Sequence, residues 1–198
     1  MRRTIAVLAA ATLSLGAVAT QAQADTARSW YGLTLNLPSG WAMTKVPPAG
    51  LGGHMLGVHP KSWKGFDFWR PGGFYLAPPS LDSSGDWPVK YLDDRFGFDE
   101  SHSGVAENRA SCVATGKDGK VVDAKSAKIV DRAALPMAAG KSWVRRVWQV
   151  KCANGSTQLI GIWHYAKAKL TVKGAGDIKA FDRILATVDP TRFKLPKG

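Results

Sequence analysis

Trp143-Val144-Arg145-Arg146-Val147-Trp148-Gln149-Val150-Lys151-Cys152, then Ala153-Asn154-Gly155-Ser156, then Thr157-Gln158-Leu159-Ile160-Gly161-Ile162-Trp163-His164-Tyr165 is the stretch on which the fold turns. Both flanks are rich in β-branched and aromatic residues, and the Asn-Gly between them is the strongest short-range hairpin signal. The pattern predicts one strand over Trp143–Cys152 and a second from Thr157 to about Val172. A two-residue turn would set Trp148 opposite Gly161 and Arg146 opposite Trp163. A Trp beside a Gly has room to lie over the sheet, and an Arg over a Trp adds about 0.5–1 kcal/mol of cation–π attraction.

Downstream of the hairpin, Asp177 can cap a helix whose apolar stripe is Ile178, Phe181, Ile184, Leu185 and Val188. Pro190 closes it, and Lys179 and Arg183 face outward. Upstream, residues 105–115 and 120–130 read as strands around a Gly116–Gly119 turn, and 135–140 as a break. A helix opens at Asp86 or Trp87, with Val89, Leu92 and Phe96 on one face. Near the N-terminus Tyr31, Leu33, Leu35 and Leu37 alternate with small or polar residues, the period of a half-buried strand. Pro38-Ser39-Gly40 turns the chain, and Trp41–Val46 returns as a second short strand. The expected class is α+β: an antiparallel sheet with packed helices, including the C-terminal helix, arranged as a sandwich.

The stretch Tyr31-Gly32-Leu33-Thr34-Leu35-Asn36-Leu37-Pro38-Ser39-Gly40-Trp41, with the late hairpin through Trp148 and Trp163 leading into Asp177–Val188, resembles the Mog1/PsbP-like fold group. That resemblance implies the same sandwich. It also implies a non-enzymatic binding, assembly or chaperone-like role, as an analogy of fold. It transfers no functional residue.

Residues 1–24 read as a cleavable signal peptide: Arg2 and Arg3, an apolar run from Ile5 to Val18, then Ala22-Gln23-Ala24. Export by the general secretory route to the periplasm follows, and no later stretch is long or apolar enough to span a bilayer. Residues 25–198 then form a single domain, with Gly, Pro and aromatic residues concentrated at 47–88. In an oxidising compartment the two cysteines, Cys112 and Cys152, are expected to form a disulfide.

The net charge is +12, and removal of the leader lowers it by two. Export makes nucleic acid an improbable partner, so the basic surface points to an anionic envelope component or an acidic protein. The basic candidates are Arg145, Arg146, Lys167 and Lys169 in a late cluster with Lys141, Lys151, Lys173, Lys179 and Arg183. On a strand, Lys167, Lys169, Thr171 and Lys173 would share one cationic face. The aromatic candidates are Trp63, Phe66, Phe68, Trp69, Arg70, Phe74 and Tyr75, within a segment read as extended around 66–69 and 73–77. Such a set is either the cover of a sheet or an anchor for a partner.

Catalytic signals are weak. There is no Gly-x-Ser-x-Gly elbow, and Ala139-Gly140-Lys141-Ser142 lacks the earlier glycine of a phosphate loop. Asp93, Asp94, Asp99, Glu100, Ser101, His102 and Ser103 form a dense polar cluster, and a hydrolase centred on Asp99–His102 is one alternative. A metal-handling role for His54, Met55 and His59 is another. His164, within an apolar strand, reads as a sheet histidine. The expectation is a non-catalytic exported binding protein without a cofactor, an immunity-type inhibitor being one form of it.

Overall fold

The computed structural model describes residues 25–46, 55–67, 70–77, 112–113, 121–122 and 124–194. The expected signal peptide, the helix from residue 86, the Asp93–Ser103 cluster, His54, Phe68 and Trp69 lie outside the described residues. Alternation makes strands wherever it occurs. Leu33, Leu35 and Leu37 are buried between exposed Thr34 and Asn36, so β2 (Leu33–Leu37) packs one edge inward and pairs with β1 (Thr26–Trp30). Then come β3 (Trp41–Val46), β4 (Met55–Pro60) and β5 (Gly73–Ala77). A ribbon of β6 (Cys112–Val113) and β7 (Val121–Val122) follows. The chain continues through β8 (Ala124–Pro136), β9 (Ser142–Cys152), β10 (Thr157–Tyr165), β11 (Leu170–Ala175) and the helix α1 (Ile178–Leu185).

Seven of these strands form one antiparallel sheet in the order β3-β4-β5-β11-β10-β9-β8. Residues directly opposite each other share a face. The inner face carries Trp41, Val58, Phe74, Val172, Trp163, Val147 and Trp143, and it is covered by α1 together with the β1–β2 hairpin. Phe181 of α1 meets Trp41, Phe74 and Trp163 through edge-on ring contacts at 5.3–6.2 Å. Asp177 caps the helix by accepting from the Ala180 amide at 3.0 Å. The opposite face holds a second apolar cluster around Trp148, Val150, Cys152, Ile160 and Ile162.

The α+β expectation is therefore corrected. Strand accounts for 59% of the described residues, and the layer over the sheet is as much strand as helix. Apolar residues at helical spacing occur over 177–188, whereas β2 alternates with the period of a strand and β4 and β5 are short runs buried on both faces.

The central hairpin exists with a shifted register. Gly155 adopts φ +85°, and its amide donates to the Cys152 carbonyl at 3.0 Å while the Cys152 amide donates to Ser156 at 2.9 Å. Three residues, not two, make the loop, with the αL glycine last. Every pair moves by one: Trp148 faces Ile160, Gly161 faces Val147, and Arg145 faces Trp163. Trp163, two residues along the same strand, is the ring that lies over Gly161. The strand expected to reach Val172 instead folds back at a 3₁₀ turn, Ala166–Ala168, with Lys169 at φ +49°. Lys167 and Lys169 sit in that turn, Thr171 is buried and Lys173 half-buried, so the expected cationic strand face does not form. Likewise β8 runs through Pro136, and the expected break narrows to 137–141.

The two ends of the described chain are joined. Thr34 and Asp189 exchange backbone hydrogen bonds at 3.1 and 2.8 Å, and the Lys194 amide donates to Tyr31 at 2.9 Å. The Arg192 carbonyl closes on Gly32, whose φ of +80° and crowded position leave no room for a side chain.

Candidate functional site

The aromatic segment is folded onto the sheet. After β4 the described residues 61–67 and 70–72 follow, and the Gly72 amide donates to the Ala175 carbonyl at 2.7 Å. Trp63 is 8% exposed and stacks on the buried His59, with centroids 5.6 Å apart and planes 13° from parallel. Phe66 lies against Trp63 and meets Tyr75 edge-on, both at 6.2 Å, and covers Gly57 so closely that a Cβ there would overlap its ring. Arg70 sits over the Trp63 ring at 4.7 Å. Phe74, the other described aromatic candidate of this segment, belongs to the opposite, inner face and is fully buried. These rings serve one another and the sheet.

The late arginines are also engaged. Arg145 forms ion pairs with Asp131 of β8 and Asp182 of α1, and Asp182 accepts the Trp163 indole N–H at 2.8 Å. The Arg145 side chain is 13% exposed. This network ties helix to sheet, since its charges satisfy one another across the layer. Arg146 is half-buried on the other face, opposite Ile162 and Arg132, and its Nη1 donates to the Arg145 carbonyl at 3.0 Å.

A different arrangement occupies the end of the sheet where β10 turns into β11. The tight Ala166–Lys169 turn projects Lys167. The β8–β9 connection brings Lys141, held because its carbonyl accepts from the Met137 amide at 2.8 Å. The segment after α1 supplies the third side through Pro190, Thr191 and Phe193. A cleft of about 460 Å³ opens between them, lined by Lys141, Tyr165, Lys167, Ala168, Pro190, Thr191 and Phe193. Phe193 is packed against Trp30 at 5.5 Å, and Tyr165 against Trp143 at 6.3 Å. Lys169, Arg192 and Lys194 are exposed on the same loops. Among the described residues no carboxylate lines the cleft, and neither Lys141 nor Lys167 forms an ion pair. The acid on this stretch, Asp189, is tied to Thr191 of the cleft lining: it accepts the Thr191 amide at 2.9 Å and hydrogen-bonds the Thr191 side chain, and these bonds, with the charge of Arg192, hold its carboxyl below the usual range.

Of the residues singled out in the sequence, Lys167 and Lys141 are brought together here. Tyr165, Pro190 and Phe193 were missed. Phe193 carries a signal of its own, an aromatic residue among Arg192 and Lys194 just past a closing proline.

The described histidines are satisfied within the fold. His59 donates from Nδ1 to the Pro60 carbonyl at 2.9 Å, which leaves Nε2 to accept the Thr44 hydroxyl at 2.8 Å. Both nitrogens that a metal would need are thus occupied. His164 meets the Thr171 hydroxyl at 3.0 Å through Nδ1, and burial holds its pKa below the usual 6.5. Neither histidine bonds to a carboxylate, and among the described residues no three potential metal ligands converge. No described helix is long and apolar enough to cross a membrane. In comparisons with known proteins, no family model matches the chain, and no curated protein matches it.

Proposed function

We propose that this chain is an exported, non-catalytic binding protein that takes an anionic partner of the cell envelope at the basic end of its sheet. The observation that carries the reading is the Lys141–Lys167 cleft, where two lysines line a concave surface and, among the described residues, neither forms an ion pair. Lys169, Arg192 and Lys194 extend the same positive field around its mouth. The aromatic segment and Arg145 support the reading by contrast, because their partners are internal.

The test separates position from net charge. Reversing Lys141, Lys167, Lys169 and Lys194 to Glu is expected to lower sharply the salt needed to elute the protein from immobilised dextran sulfate. Reversing exposed Lys61, Lys64, Lys125 and Lys128 changes the net charge equally and is expected to have a much smaller effect. Equal losses in both variants overturn the reading.

The export reading carries a Cys112–Cys152 bridge with it. Cys152 is buried at the end of β9, and the ribbon bearing Cys112 lies against the same strand. The protein recovered from a periplasmic fraction is expected to show no free thiol after unfolding without reductant, and two after reduction. A free thiol pair before reduction removes this element.

A further inference from the structure

The cleft has a more specific chemistry than its surroundings. Building on the anionic-partner reading, we infer that it is a subsite for a phosphate monoester borne on a flat or apolar group. The first argument is charge. Two lysines, Lys141 and Lys167, line the cleft, and a phosphate monoester carries about −1.5 to −2 near neutral pH, a charge that two ammonium groups match. A carboxylate or a phosphodiester, each a single charge, leaves one lysine unneutralised. The second argument is donor type. The described cations lining the cleft are lysines, compact point charges suited to the several oxygens of a phosphate, rather than the guanidinium fork that grips carboxylate and phosphate alike.

The third argument is the wall. Tyr165, Phe193, Ala168 and Pro190 make part of the lining apolar, and both rings are packed against Trp143 and Trp30. A preformed aromatic wall binds a flat group at little ordering cost. The cleft volume of about 460 Å³ fits a small ligand or a headgroup.

Two sources share this chemistry, a soluble phosphorylated metabolite and a phosphomonoester lipid headgroup. The experiment uses the mature full-length protein, phenyl phosphate and inorganic phosphate as soluble probes, and vesicles of phosphatidylcholine doped with phosphatidic acid. Phosphatidylglycerol vesicles of equal surface charge serve as the control. Calorimetric binding of phenyl phosphate, weakened roughly ten- to a hundredfold in Lys141→Met/Lys167→Met, supports the soluble source. Co-sedimentation with phosphatidic acid well above phosphatidylglycerol, lost in the same variant, supports the lipid source. In either case Phe193→Leu, which keeps bulk while removing the ring, is expected to weaken phenyl phosphate several-fold and leave inorganic phosphate unchanged.

Binding to neither probe, or binding indifferent to the lysine pair, overturns the inference. If dextran sulfate retention still depends on the basic end in that event, this inference fails alone. If that dependence is absent as well, both readings fall.

Discussion

The aromatic cover at residues 61–67 and 70–72 and the basic cleft at the far end of β10 lie at opposite poles of chemical self-sufficiency. In the cover, Trp63 has His59 on one side and Arg70 over it, Phe66 has Gly57 beneath it, and Thr44 and Pro60 satisfy His59. In the cleft, two lysines and two rings line an opening with no described acid to pair with. A segment crowded with chemistry is thus a structural element, while a sparser set from three separated loops is the better candidate site. Composition locates reactive groups; their partners decide whether the groups remain available.

The contrast is strongest in stability. Trp63→Ala is expected to cost about 3 kcal/mol in chemical denaturation, because it removes a large buried ring from a stack. Retention on dextran sulfate is expected to be unchanged. If Trp63→Ala abolishes retention in a folded protein, the cover is part of the site and the contrast collapses. Gly57→Ala is expected to cost about 2 kcal/mol by the same measurement, since the new methyl must displace Phe66. Arg70→Ala, which removes an exposed cation–π contact, should cost only about 0.5 kcal/mol. On the other side, Lys141→Ala/Lys167→Ala should leave stability within about 0.5 kcal/mol of the parent while reducing anion retention. A large loss of stability there would make the lysines structural.

The smallest expected effect is one of pH. Burial keeps His164 neutral in the folded state, whereas the unfolded chain protonates it near its ordinary value of 6.5. The unfolded state binds more protons between the two values, so stability falls as pH drops through the window just below 6.5. His164→Gln should shrink the difference in urea midpoint between pH 7.5 and 5.5. An unaltered difference places the sensitivity at another group.

Much of the scaffold was legible because it depends on local pattern. The helix over Ile178–Leu185, its Asp177 cap, the strand Trp41–Val46 and the extended Gly73–Ala77 all follow from nearest-neighbour chemistry. The register of the central hairpin was not legible, since Asn154-Gly155 suits both a two-residue and a three-residue loop. Nor was the reversal at Lys169, a non-glycine residue in the left-handed region with no turn signal beside it. Strand β4 escaped because Gly57 and Pro60 read as punctuation, whereas Gly57 is there to make room for Phe66. Half of the cleft was hidden for a simpler reason. Tyr165 and Phe193 acquire their meaning from Lys141, which sits on another loop.

The zipper between the first and last described segments has a kinetic consequence. Tyr31 and Thr34 bond to Lys194 and Asp189, and Gly32 is seated under the Arg192 carbonyl, so the β1–β2 hairpin lacks its lateral partner until residues 189–194 are present. A chain delivered N-terminus first, whether from a ribosome or through a narrow pore, must wait for residues 189–194 before this contact can form. Closure is then coupled to the arrival of residues 189–194, and the Phe193 wall of the cleft is assembled at the same moment. Chains that have emerged only as far as α1 lack both the closure and that wall.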